Sequence, residues 1–198
     1  MPLYFIGLGL NNEKDISVNG LEAIKKCDIV YLENYTSILN CKKEDLEKFY
    51  GKKIILARRN LVEADENEIV ENAKTKNVAF LVAGDPFAAT THIDLFLRAK
   101  KEGIKCHVMH NSSIISAVGV TGLQVYKFGK ITSIPLENEN VEAPYDALKG
   151  NLSLGLHTLF LLDLNPEEEK FMSVNDAIRY LLKVELKRNE KIFSEKTL

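Results

Sequence analysis

A chain of 198 residues with 45% hydrophobic and 27% charged residues is long enough for one large domain or two small ones and has an ordinary globular composition. Its formal net charge of −2 gives no electrostatic footprint for nucleic acid, and no apolar run reaches the length of a membrane span, so neither partner is expected. Cys27, Cys41 and Cys106 are odd in number and lack metal-ligand spacing, which points to reduced thiols in a cytoplasmic setting.

Leu3 to Leu8 reads as a first strand, closing on Gly7-Leu8-Gly9-Leu10. Met1-Pro2-Leu3-Tyr4 lacks the basic lead and cleavage site of a secretory signal, so this strand belongs to the mature fold. Asp15 to Cys27 has helical spacing, with Val18, Leu21 and Ile24 on one stripe. A second strand, Asp28 to Leu32, runs into the polar and aromatic segment Glu33-Asn34-Tyr35-Thr36-Ser37. A short helix from Glu44 to Tyr50, a strand from Lys53 to Ala57 and a helix from Glu63 to Lys74 follow. The apolar run Val78 to Ala83 is a buried strand, Ile93 to Lys101 an amphipathic helix and Ile104 to Met109 a further strand. Strand alternating with helix predicts a mainly parallel sheet with helices on its faces, an α/β domain over residues 1–109.

The pattern changes after Met109, and a second, short α/β domain is expected over residues 110–198. His110 to Ile115 opens a short helix with Asn111 or Ser112 as its cap. Gly119, Gly122 and Gly129 interrupt the chain around Val125-Tyr126-Lys127-Phe128. Ile131 to Leu136 and His157 to Leu162 read as strands of another sheet, separated by an acidic loop, Glu137 to Glu142, and a short helix, Pro144 to Lys149. Ser173 to Arg188 is a helix, apolar at Val174, Ala177, Ile178, Leu181, Leu182 and Val184.

The segment Gly84-Asp85-Pro86-Phe87-Ala88-Ala89-Thr90-Thr91-His92 is the most informative in the chain. Open α/β sheets bind ligands at the carboxyl ends of their strands, and this one ends in a glycine, a carboxylate and a proline. Gly84 allows close approach to the backbone, and Pro86 fixes the turn. Asp85 can accept hydrogen bonds from sugar hydroxyls, while Thr90 or Thr91 can cap the next helix. The same residues also suit a plain turn whose acid is favoured by the helix dipole.

Gly7-Leu8-Gly9 invites a dinucleotide reading, but Asn12 stands where the fingerprint needs a third glycine, and Glu13 to Ser17 do not open a helix over a pyrophosphate. No Gly-Lys-Ser/Thr follows a glycine-rich turn, which removes the P-loop. Cys106-His107 with His110 is not a metal cluster, because neighbours on a strand point to opposite faces.

Several pieces in order carry a resemblance. They are Tyr4-Phe5-Ile6-Gly7-Leu8-Gly9-Leu10, Tyr31-Leu32-Glu33-Asn34-Tyr35-Thr36-Ser37, Gly84-Asp85-Pro86-Phe87 with Thr90-Thr91-His92, and His110-Asn111-Ser112-Ser113-Ile114. Further on come Gly122-Leu123-Gln124-Val125-Tyr126-Lys127-Phe128-Gly129, His157-Thr158-Leu159-Phe160-Leu161-Leu162-Asp163 and Met172-Ser173-Val174-Asn175. The chain resembles the diphthine synthase family of the tetrapyrrole methylase-like, class III methyltransferases, which use S-adenosylmethionine. The resemblance implies two α/β domains with the cofactor cleft between them, in a homodimer.

It also implies that Leu10, Asp85, Ala88, Ser113, Ile114 and Leu162 line the S-adenosylmethionine pocket, Ala88 mainly through its backbone. Without it, Leu10 and Leu162 read as core leucines and Ser113 as a helix-start residue. The implied substrate is translation elongation factor 2, at a histidine already bearing a 3-amino-3-carboxypropyl group. Methylation gives diphthine or its methyl ester, with S-adenosylhomocysteine as by-product. An α-amino group titrates near about 8, so no indispensable general base is expected.

Tyr35, Thr36 and His92 are the candidates for orienting that substrate, His92 by binding its carboxylate or shuttling a proton; His92 suits equally well a helix-start residue that satisfies backbone groups. His157 reads as a satisfied core or interface histidine, Lys42-Lys43-Glu44-Asp45 as a solvated face, and Lys127 as part of an exposed turn. Two departures from the family stand out: only Leu164 to Phe171 separate the Leu-Leu-Asp strand from the last helix, and the chain stops where relatives continue. The expectation is that residues are omitted at one or both places and that the C-terminal domain is incomplete. Rival readings are a small-molecule methyltransferase acting on a tetrapyrrole-like ring and an inactive cofactor-binding scaffold.

Overall fold

The computed structural model describes residues 1–63 and 68–197 as two compact units, Met1–Val118 and Gly119–Leu198. The first is built on five parallel strands in the order β3-β2-β4-β1-β5: β1 Pro2–Gly7, β2 Ile29–Glu33, β3 Ile55–Ala57, β4 Val78–Val82 and β5 Lys105–Met109. A parallel sheet covered on both faces needs apolar residues at consecutive positions, and the whole of β4 is buried. Alternation then divides that strand between two cores. Val78, Phe80 and Val82 join Leu3, Phe5, Tyr31 and Leu95 on one face, whereas Ala79 and Leu81 join Ile6, Leu8, Ile24 and Tyr50 on the other.

Helices α1 Val18–Lys26, α2 Lys43–Tyr50, α3 Arg59–Glu63, α4 Glu68–Thr75 and α5 Ile93–Lys101 link these strands. Helix α1 starts later than its periodicity predicts. Ser17 caps it by accepting from Gly20 N at 3.1 Å, and the Asp15 carboxylate turns back to the preceding loop. Of the helix expected over Glu63 to Lys74, Glu68–Thr75 is helical, and 64–67 lie outside the described residues. Neither Thr90 nor Thr91 caps α5. The Thr90 hydroxyl donates to Pro86 O at 2.6 Å, the Thr91 hydroxyl to Glu63 Oε1 at 3.1 Å, and His92 occupies the cap position without a side-chain bond to the first turn of the helix.

The short helix α6, Ile114–Ala117, starts at Ser113 rather than at Asn111 or Ser112, because Asn111 spends its side chain elsewhere. The break expected after Met109 lies inside the first unit, where His110 and Asn111 are tied to Asp85.

The second unit pairs β6 Thr132–Ile134 and β7 Phe160–Leu162 in parallel and packs α7 Ala143–Ser153 and α8 Val174–Arg188 around Ile134, Tyr145, Leu148, Tyr180 and Leu181. Helix α7 outruns the predicted Pro144 to Lys149. Its buried Asn151 accepts from Lys130 N at 2.8 Å and donates to Lys130 O and Thr158 Oγ1, each at 2.9 Å. Between β7 and α8 lies a small antiparallel hairpin, β8 Leu164–Asn165 and β9 Lys170–Phe171, closed by a 3₁₀ turn at Pro166–Glu168. Ser173 caps α8 through Asp176 N at 3.2 Å. His157 is exposed against Phe128 rather than a core residue, and Lys127 lies in an exposed 3₁₀ turn as expected.

Candidate functional site

The ends of β1 and β4 are joined beyond the ladder by two glycines. Gly84 N donates to Gly9 O at 2.7 Å and Gly9 N to Gly84 O at 3.2 Å. Both lie at positive φ, +78° for Gly9 and +77° for Gly84, where L side chains are strained. A Cβ at Gly84 would have no neighbour closer than 3.8 Å, so its face is open to an approaching group. Ser112 O and Ser113 Cα are the nearest atoms there, which brings Ser113 beside the glycine turn.

Asp85 follows directly and is 9% exposed. Its Oδ1 accepts from Phe87 N at 3.0 Å, while Oδ2 accepts from Asn111 N at 3.2 Å and lies 2.8 Å from His110 Nδ1. Burial pushes the Asp85 pKa up, but the Phe87, His110 and Asn111 contacts outweigh it and hold the carboxyl below its usual range. An ionised carboxylate has about four acceptor positions, and three are taken, so Oδ1 retains room for one more donor. A hydroxyl of a bound ligand fits that description. Ala89, in the same turn, sits at φ 59°, a conformation unusual for alanine.

The candidates Tyr35, Thr36 and His92 divide into two situations. Glu33, 2% exposed at the end of β2, accepts from Tyr35 N at 2.7 Å, Thr36 N at 2.6 Å and Thr36 Oγ1 at 2.9 Å. That carboxylate fixes the turn presenting both residues. The ring of Tyr35 lies edge-on to His92, with centroids 6.1 Å apart, and the Arg59 guanidinium is 5.3 Å from its centre. Burial and nearby carboxylates push the Tyr35 pKa up to about 12.

His92 is completely buried against Phe80, with Nδ1 3.2 Å from Pro86 O. Burial takes its pKa down to about 4, so the ring is neutral at cellular pH. A neutral, inaccessible imidazole is unsuited to gripping a carboxylate or shuttling protons, and the expectation of an open, substrate-facing His92 is corrected. Among the described residues, neither Tyr35 Oη nor His92 Nε2, both buried, finds a hydrogen-bond partner within normal geometry.

Of the other expected residues, Leu10 is exposed beside Gly9, Ile114 is exposed at the start of α6, and Ala88 is half-buried with its N 3.4 Å from Asp85 O. Leu162 belongs to the second unit, half-buried at the end of β7 against Ile134. The first unit thus brings Leu10, Asp85, Ser113 and Ile114 onto neighbouring loops. The sequence reading missed His110, Asn111 and Asp15 as partners of these loops. Asn111 resembled a helix cap and Asp15 a helix start, and neither spacing reveals a long-range bond. Among the described residues, no group of three His, Cys, Asp or Glu side chains could hold a metal, and no helix is long and apolar enough to cross a membrane.

A glycine-paired turn and a held carboxylate thus stand together at the strand ends of a five-stranded parallel sheet. Residues 2–192 fit the Tetrapyrrole (Corrin/Porphyrin) Methylases, and the chain belongs to that family, which makes it a methyltransferase by class. More particularly, it is 47% identical to the diphthine methyl ester synthase of Saccharomyces cerevisiae, across 98% of this chain and 71% of that protein. Against the diphthine synthase of Methanococcus vannielii, identity is 48% across 98% of this chain and 78% of the relative. A crystal structure of a diphthine synthase superposes with a TM-score of 0.88 at 40% identity, covering 94% of this chain and 73% of that one.

Proposed function

We propose that this protein is the methyltransferase of diphthamide biosynthesis, acting on the 3-amino-3-carboxypropyl-histidine of translation elongation factor 2 to give diphthine or its methyl ester. What carries the reading is likeness over almost the whole chain to relatives named for that product. When bound, S-adenosylmethionine supplies a sulfonium methyl group and departs as S-adenosylhomocysteine. The first unit fits such a ligand: Gly84 leaves backbone open where a side chain would stand, and Asp85 is held ionised with an acceptor position free. Leu10, Asp85, Ala88, Ser113, Ile114 and Leu162 are the residues we assign to holding it.

The chain's own contribution is binding and alignment. A substrate amine titrating near about 8 is partly neutral at cellular pH without a base. Correct placement of two reactants can contribute roughly 7–11 kcal/mol to lowering a barrier. Glu33 fixes the Tyr35-Thr36 turn, and Thr36 is our choice for orienting the acceptor; Tyr35, whose hydroxyl is buried, and His92, packed against it, act from behind. With this reading go a cytoplasmic location, where an elongation factor is met, and a homodimer.

Isothermal titration with S-adenosylhomocysteine tests the cofactor assignment. The wild-type protein should bind saturably and Asp85→Ala at least tenfold more weakly, roughly 1.4 kcal/mol. Equal binding by the variant would remove Asp85 from the site.

A further inference from the structure

Three loops of the first unit carry residues assigned above to the cofactor: Gly9 to Asn11 after β1, Gly84 to Phe87 after β4, and His110 to Ile114 after β5. One residue ties them, through its side chain and its backbone together. Asn111 Nδ2 donates to Gly7 O and to Asp15 O, each at 3.0 Å, and Asn111 N donates to Asp85 Oδ2 at 3.2 Å. Asp15, so held, accepts from Leu10 N at 3.3 Å and Asn11 N at 2.9 Å through Oδ2.

We infer that Asn111, acting with Asp15, is a positioning residue that sets Leu10 and Asp85 at the separation the cofactor requires. The inference rests on the cofactor reading of these loops. A helix cap would accept a first-turn N–H of α6 through its side-chain oxygen; instead Asn111 Oδ1 accepts from Ser112 N at 2.8 Å, ahead of the helix, and both amide hydrogens go to distant backbone. Nor is the amide needed to set strand register. The β1 ladders to β4 and β5 are complete from Leu3↔Val78 to Gly7↔Val82 and from Pro2↔Lys105 to Ile6↔Met109. The bonds therefore act on the loops past the strand ends.

The chemistry demands an amide rather than an acid at position 111. Asn111→Asp would set a carboxylate against two carbonyl oxygens that now receive hydrogens. Position 15 is different, since a single oxygen accepts both amides there and Asp15→Asn can keep them.

The test is titration of wild-type protein, Asn111→Ala, Asn111→Asp, Asp15→Ala, Asp15→Asn and Asp85→Ala with S-adenosylhomocysteine, with amide hydrogen exchange on each. Asn111→Ala, Asn111→Asp and Asp15→Ala should bind roughly tenfold more weakly or worse, with Asp15→Asn recovering most of the loss. Exchange should quicken at Leu10 and Asn11 while Val78 to Val82 stay protected. Undiminished binding by Asn111→Ala beside a weakened Asp85→Ala would overturn the positioning role and leave the cofactor reading standing. Wild-type protein that binds no ligand would overturn both. Weakened binding with lost protection throughout β4 would mean general unfolding and would also overturn the inference.

Discussion

Gly9 and Gly84 bond each other through both backbone groups, at 2.7 and 3.2 Å, and both do so at positive φ. Their surroundings nevertheless differ, which separates two causes of glycine dependence. At Gly84 a Cβ meets nothing within 3.8 Å, so alanine there incurs only the left-handed backbone cost, about 1–2 kcal/mol. At Gly9 a Cβ would stand 2.7 Å from Asp15 Cβ. Urea unfolding should therefore show Gly9→Ala more destabilised than Gly84→Ala, by about 2–4 kcal/mol in total. Equal losses would mean that the Asp15 contact is not tight.

Glu33 gives a counter-intuitive result at neutral pH. Burial pushes its pKa up, against the pull of the Tyr35 and Thr36 hydrogen bonds. A carboxyl with a raised folded pKa contributes its full stability below the unfolded value, near about 4, and loses it as pH rises through the folded value. Glu33→Gln keeps an acceptor for Tyr35 N and Thr36 N without the charge. It should match or exceed the parent in stability at pH 7, with the gain vanishing below pH 4. Glu33→Ala should lose stability at both, since the turn then has no anchor.

His92 works in the opposite sense. Its pKa falls from 6.5 to about 4 through burial, so its contribution is complete above pH 6.5 and is lost as pH falls towards 4. One such group is worth about 3 kcal/mol across that window. Denaturation curves for His92→Gln should be flatter between pH 6.5 and 4 than those of the parent. An unchanged slope would place the pH dependence elsewhere.

In the second unit, Asn151 holds Lys130 at both N–H and C=O and also meets Thr158. Asn151→Ala leaves those backbone groups without partners inside the unit, at about 1–3 kcal/mol for each one buried. A loss of about 2–4 kcal/mol by chemical denaturation is expected, and less than about 1 kcal/mol would show that water replaces the side chain.

Much of the first unit could be read from the chain because apolar runs and their punctuation are local signals. Val78 to Val82, the glycine and acid after it, and the amphipathic Ile93 to Lys101 all appear where patterning puts them. Several of the errors share one physical origin, side chains committed to partners outside their own element. Asn111 bonds Gly7, Asp15 turns back from α1, and His92 is sealed behind Phe80, none of which a helical or strand period encodes. The β8–β9 hairpin escaped for another reason: strands of two residues are too short to show alternation. Individual site residues came from the resemblance, apart from Asp85, which turn chemistry singles out unaided.

The central claim is methyl transfer to one modified histidine. The direct measurement is incubation of this protein with S-adenosylmethionine labelled in the methyl group and elongation factor 2 bearing the unmethylated 3-amino-3-carboxypropyl-histidine, followed by peptide mass analysis. Label on that side chain, at the amine or carboxylate, is the predicted result. An elongation factor that stays unlabelled, while the protein binds S-adenosylhomocysteine in the same buffer, would contradict it.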